Sequence, residues 1–147
     1  MTIENPLIQR LSHVSLGVED IEKMIAFYTE TFGFDVAHEF MNDTGERYGV
    51  FLHMGQGTFL ELFRDAQPPS KGGRFRHFCL EVLDIEQAAS NIRARGYEIE
   101  IKRGRTDGIL QFFVLDPEAN MIELQEHDGQ SKLLPFVSGS NSLSRQA

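Results

Sequence analysis

The chain has 147 residues, with 14 Lys and Arg against 22 Asp and Glu for a formal net charge of −8. This is the length of one ordinary domain or two very small ones, and the acidity argues against a nucleic-acid or anionic-membrane partner. Hydrophobic content of 41% suffices for a packed core, and the one cysteine, Cys79, excludes an intramolecular disulfide and suits a cytoplasmic, reducing setting. No apolar run approaches the roughly 18 residues of a membrane span, and the first residues lack the basic-then-apolar pattern of a signal peptide.

In chain order, Leu11 to Val18 alternates, with Val14, Leu16 and Val18 on one face of a half-buried strand and His13, Ser15 and Gly17 on the other. Asp20 is an N-cap, Ile21, Met24, Ile25, Tyr28 and Phe32 recur at helical spacing, and Gly33 ends the helix. Strands are predicted at about 34–41, 47–54 and 58–64, separated by the turn-formers Asn42-Asp43-Thr44-Gly45 and Gly55-Gln56-Gly57. After a Pro- and Gly-containing linker at 65–74 the order repeats. A strand at 75–82 leads to the cap Asp84 and a helix carrying Ile85, Ala88, Ala89 and Ile92 that Gly96 ends. Strands then follow at about 97–103, 109–115 and 120–127. The tail 129–147 is polar and read as partly disordered, apart from an apolar stretch at 133–137 that is free to dock on the body or a partner.

The repetition is also literal. LSHVSLGVEDIE at 11–22 matches FRHFCLEVLDIE at 75–86, with His13 on His77 and Asp20-Ile21-Glu22 on Asp84-Ile85-Glu86, while Glu61 in TFLELF matches Glu123 in NMIELQ. The chain therefore reads as an α+β protein of two tandem βαβββ modules, 9–64 and 75–128, each too small to hide a core alone.

Strand parity then picks out a site. His13 and Glu61 in the first copy, and His77 and Glu123 in the second, lie opposite the aliphatic positions of their strands, on the sheet face that the helices do not cover. Two imidazoles and two carboxylates at equivalent positions make a ligand set for a divalent first-row metal. The remaining features read plainly. His38, His53 and His127 are surface or loop histidines, His127 sharing the parity of Glu123. Cys79 is a small buried residue, and Gln111 and Gln125 are possible ligand contacts. Eight basic against five acidic residues at 71–105 form a solvated face with ordinary ion pairs, with attraction of an anionic small molecule as the alternative.

The segments LSHVSLGVEDIEKMIAFYTETFGF, TFLELF, FRHFCLEVLDIE and FVLDPEANMIELQE resemble the vicinal oxygen chelate superfamily of glyoxalases, bleomycin-resistance proteins and extradiol dioxygenases over about residues 9–128. The resemblance implies two modules whose mixed sheets form a cup around one divalent ion, of Ni, Zn, Co, Mn or Fe, held by His13, Glu61, His77 and Glu123 as in bacterial-type glyoxalase I. It implies a homodimer and a lyase or isomerase that moves a proton next to a carbonyl of a small 2-oxo compound or its thiol adduct, with Glu123 as general base and Glu61 as its counterpart. Where glyoxalase I carries an Arg and an Asn for glutathione, this chain has Gly17 and Asp65, which disfavours an anionic thiol adduct. The alternatives in the same superfamily are a metal-dependent dioxygenase and a non-enzymatic small-molecule binding or resistance protein.

Overall fold

The computed structural model describes residues 10–11, 13–65, 75 and 77–137. The chain divides into two compact units, Met1–Lys71 and Gly72–Ala147. In the first, β1 (His13–Val18) leads into α1 (Ile21–Phe32), followed by β2 (Asp35–Met41), β3 (Arg47–Gly55) and β4 (Thr58–Arg64). In the second, β5 (Phe78–Glu81) leads into α2 (Ile85–Arg93), followed by β6 (Lys102–Arg103), β7 (Leu110–Leu115), β8 (Met121–Glu126) and the short α3 (Leu134–Val137). The architecture is α+β, and both sheets are mixed with the same strand order, β1-β4-β3-β2 and β5-β8-β7-β6. The one parallel pair in each joins the first strand to the last, as a strand–helix–strand crossover requires.

Local chemistry starts both helices, and stops the first, where expected. Asp20 accepts a hydrogen bond from the Lys23 amide at 3.0 Å, and Asp84 does the same for Gln87 at 2.9 Å. Gly33 closes α1 in the left-handed region at φ 70°. The helix α2 instead finishes at Ala94 in right-handed geometry, and Gly96 takes the positive φ of 96° two residues later. Each helix packs its apolar stripe on one sheet face. Ile21, Met24, Ile25 and Tyr28 cover Leu16, Val18, Val50, Leu52, Leu60 and Leu62, while Ile85, Ala89 and Ile92 cover Phe112, Val114, Ile122 and Leu124. The odd-numbered residues of β1, β4, β5 and β8 therefore face away from the helices.

Three expectations need correcting. The strand predicted at 97–103 shortens to Lys102–Arg103, because Tyr97–Ile101 finds no ladder partner in the sheet. Cys79 is exposed rather than buried, since it stands on the helix-free face. The start of the second module at 75–77 precedes the ladder, so His77 lies one residue before β5. The tail beyond Asp128 turns back on its own unit: Lys132 donates its amide to the Asp107 carbonyl at 2.8 Å, Ser131 is buried, and the apolar stretch enters α3. Its continuation after residue 137 lies outside the described residues.

Candidate metal centre

The register makes the two halves equivalent in detail. In the first unit Ser15 stands opposite Glu61, and Glu61 opposite Phe51. In the second, Cys79 stands opposite Glu123, and Glu123 opposite Phe113. Each histidine lies two residues before the position that faces its glutamate. Each also meets the central phenylalanine edge-on: His13 and Phe51 with ring centres 5.4 Å apart at 79°, His77 and Phe113 5.7 Å apart at 83°. Such a T-shaped contact restrains the imidazole plane without occupying a ring nitrogen. Phe51 and Phe113 thus stand against the candidate ligands, a placement the sequence reading did not single out. Their common spacing from Glu61 and Glu123, ten residues earlier in each copy, was the available signal.

In the second unit the structure brings His77 and Glu123 together. Nε2 of His77 donates to Oε2 of Glu123 at 2.8 Å, with the carboxylate side chain only 12% exposed. That separation also suits neighbouring donors on one ion whose bonds to N and O are about 2.0–2.2 Å, so the pair fits a divalent metal. In the first unit His13 and Glu61 share a face at diagonal register positions, Glu61 half-buried and His13 exposed. Among the described residues, no three or more His, Cys, Asp or Glu are grouped in metal-holding geometry.

Around Glu123 the face is polar. Gln125 stands opposite Gln111 on β7 and Glu81 on β5. The Gln125 amide donates to Nε2 of His127 at 3.0 Å, which places the ring proton on Nδ1, 2.7 Å from the Ser131 hydroxyl. His127, a loop residue just past the end of β8, is therefore a half-buried anchor for Gln125. Although the residue is exposed, partial burial of its sulfur, reinforced by the charges of Glu123 and Glu81, pushes the Cys79 thiol up to about 12, so it stays protonated at neutral pH. The first unit's face is aromatic instead. Phe40, Phe51, Phe59 and Phe63 contact one another at 5.0–5.8 Å. His53 is tied down by accepting the Gly57 amide at 3.1 Å.

Among the described basic residues of 71–105, Arg93, Lys102 and Arg103 have protein partners. Arg103 forms a two-pronged bond to Asp128 at 2.9 and 2.8 Å, Arg93 reaches the Ile99 carbonyl, and Lys102 meets Glu100 at 3.3 Å. Lys71, Arg74 and Arg76 lie outside the described residues. At the other candidate subsite, a Cβ placed on Gly17 would lie 2.9 Å from Oδ2 of Asp65. The carboxylate thus occupies the space above the glycine.

A family model described as the Glyoxalase/Bleomycin resistance protein/Dioxygenase superfamily matches residues 10–124. The chain is 31% identical over 131 residues to the probable lactoylglutathione lyase of Vibrio cholerae serotype O1, covering 82% of this chain and 95% of that one. It is 28% identical over 126 residues to the YwkD protein of Bacillus subtilis, covering 82% and 98%. Among solved structures it is similar to a glyoxalase family protein from Enterococcus faecalis, with a TM-score of 0.69, 26% identity, and coverage of 82% of this chain and all of that one. Among the described residues, no helix is long and apolar enough to cross a membrane.

Proposed function

The chain belongs to the glyoxalase/bleomycin resistance protein/dioxygenase superfamily, and from that premise we propose that it is a metal-dependent lyase or isomerase, homodimeric and cytoplasmic, acting on a small 2-oxo compound. One observation carries the reading: the same His–Phe–Glu constellation, at the same register, is built twice on the helix-free faces of two duplicated sheets. Duplicated surfaces drift apart unless something holds each copy to the same residues. One divalent ion needing two donors from each copy would do so.

In this reading His13, Glu61, His77 and Glu123 hold the ion, which supplies positive charge against the oxygens of the bound carbonyl compound. Glu123 takes the proton from the carbon beside the carbonyl, being a carboxylate on the site face whose Oε2 is held by His77. Glu61, its equivalent in the duplicated half, is the counterpart on the other side of that carbon and, where a proton is delivered there, gives up one of its own while Glu123 keeps the one it took. The Phe51 and Phe113 rings hold the imidazoles in plane, and Gln125, fixed through His127 and Ser131, offers a hydrogen bond to the substrate. The relatives named lactoylglutathione lyase support this chemistry. Asp65 over Gly17 favours a free 2-oxo compound over a glutathione adduct, because a carboxylate there repels the anionic tripeptide.

Metal quantitation on wild type and Glu61→Gln, followed by methylglyoxal turnover with and without glutathione, tests the proposal. About one equivalent of metal per chain in wild type, a clear loss in the variant, and turnover that does not depend on glutathione are expected. Absence of turnover with Ni, Zn, Co, Mn and Fe would reject the lyase reading.

A further inference from the structure

The second sheet carries a straight polar row across its helix-free face. Glu81 on β5 stands opposite Gln125 on β8, Gln125 opposite Gln111 on β7, and Gln111 opposite Lys102 on β6. Directly opposed residues project to the same side, so a carboxylate, two carboxamides and an ammonium line up over three inter-strand steps of about 4.8 Å, roughly 14 Å in all. The row lies two residues along β8 from Glu123. Its equivalent in the first unit, two residues along β4 from Glu61, runs Gly17, Phe63, Gly49 and Phe40. The copies that agree at the glutamates thus differ one row further on, where the first offers aromatic rings and the second only polar groups.

The centre of the polar row is held in place. Gln125 and Gln111 are half-buried. Gln125 donates one N–H to Nε2 of His127 at 3.0 Å, and Nδ1 of that ring lies 2.7 Å from the hydroxyl of the buried Ser131. That hydroxyl also accepts the Leu133 amide at 3.2 Å, and the Lys132 amide fixes the tail on the Asp107 carbonyl at 2.8 Å. A glutamine gives up rotamer freedom to be held in this way. In return its direction is set, with Oε1 and a second N–H turned to a ligand.

The chemistry of the row selects the occupant. An apolar group would strip water from four polar side chains and return no hydrogen bonds. An anion would meet Glu81, and the Lys102 charge is already partnered by Glu100 at 3.3 Å. A lone cation would use Glu81 and leave both carboxamides unmatched. A chain of hydroxyls suits all four. Each hydroxyl donates and accepts, while the row offers an acceptor at Glu81, both kinds at the glutamines and donors at Lys102.

We propose that this row binds an uncharged polyhydroxyl chain, that the substrate class is 2-oxo compounds bearing such a chain, and that Gln111 and Gln125 set this specificity. The chain as part of the substrate rests on the function proposed above; the polyol site itself rests on the register and on the anchoring of Gln125.

The test uses NMR titration of the full chain, metal-free and metal-loaded, with xylitol, n-pentanol and the zwitterion β-alanine, following the side-chain amides of Gln111 and Gln125. Wild type binds xylitol at least tenfold more tightly than either other ligand. Gln111→Leu and Gln125→Leu each remove at least fivefold of the xylitol affinity, and Ser131→Ala, which loosens the His127 anchor, at least twofold. Lys102→Met, at an exposed position, weakens xylitol at least twofold without altering the half-buried glutamines, and backbone amide spectra check the fold of every variant. In turnover, a 2-oxo aldehyde carrying a trihydroxypropyl chain exceeds methylglyoxal at least tenfold in kcat/KM. Equal binding of xylitol and n-pentanol, no measurable xylitol binding, or undiminished xylitol affinity in the folded variants overturns the polyol site. Tighter binding of β-alanine than of xylitol overturns it in favour of a zwitterion. Xylitol binding by a protein that turns over neither aldehyde upholds the site and rejects the enzyme reading. Methylglyoxal turnover by a protein without a xylitol preference does the reverse.

Discussion

Asp116 begins the turn that delivers β8, and with it Glu123, to the site. Its side chain is 4% exposed as a residue and accepts three hydrogen bonds: Oδ1 from the amides of Glu118 and Asn120, both at 2.9 Å, and Oδ2 from the Asn120 side-chain amide at 2.8 Å. The turn also holds Ala119 in the left-handed region at φ 64°, which an alanine adopts only when its surroundings impose it. Asp116→Ala removes all three acceptor contacts and leaves two half-buried backbone amides to water. At about 1 kcal/mol net for each bond, within the usual range for partly solvated donors, the loss is about 2–4 kcal/mol. Asp116→Asn keeps Oδ1 for the two backbone amides and puts an amide donor against the Asn120 amide, so its cost is nearer 1–2 kcal/mol. Urea unfolding followed by far-UV circular dichroism measures both, and amide exchange across β7 and β8 locates the effect in the second unit. An Asp116→Ala variant within about 0.5 kcal/mol of wild type, the noise for surface substitutions, would refute the view that this carboxylate holds the turn.

Two further consequences follow from long-range packing. Gly108 combines φ +71° with a would-be Cβ only 2.2 Å from the Gln130 carbonyl oxygen, whereas Gly96 has φ +96° and open space around it. Gly108→Ala should cost about 2–4 kcal/mol and Gly96→Ala about 1–2 kcal/mol in the same unfolding assay, strain alone accounting for the second. Equal costs would show that the tail does not pack on the 104–109 loop. Asp128, gripped by both prongs of Arg103 and by the Gln130 amide, has its carboxyl lowered from 3.8 to about 2. A lowered folded-state value means that the stabilisation is present above 3.8 and fades as pH falls toward 2. Carboxyl-carbon NMR titration should show this, with Arg103→Met returning Asp128 toward 3.8; an unchanged midpoint would refute the pairing.

Much of the molecule is written in local pattern. Period-two and period-3.6 alternation is a property of the chain itself, so the strands, the two helices, their Asp20 and Asp84 caps and the helix-free face carrying His13, Glu61 and Glu123 follow from residue order. The duplication is equally local, since it requires only comparing the chain with itself. What failed depends on partners far away in sequence. The stretch 97–101 has the composition of a strand but no neighbour to pair with. Cys79 is apolar enough to be buried, yet it stands on the sheet face that the helix leaves uncovered.

The sequence by itself determined the element order, the twofold repetition and the choice of four metal-ligand candidates, because these need only spacing along the chain. Only the tertiary structure decided that His38 and Ala37, at a bulge in the β2–β3 ladder, share one cavity with His13, that His127 anchors Gln125 through Ser131, and that Asp65 covers Gly17. A bulge, a returning tail and a carboxylate laid over a neighbouring strand are set by cross-strand register and by segments tens of residues apart. No window of local pattern contains both partners of such a contact.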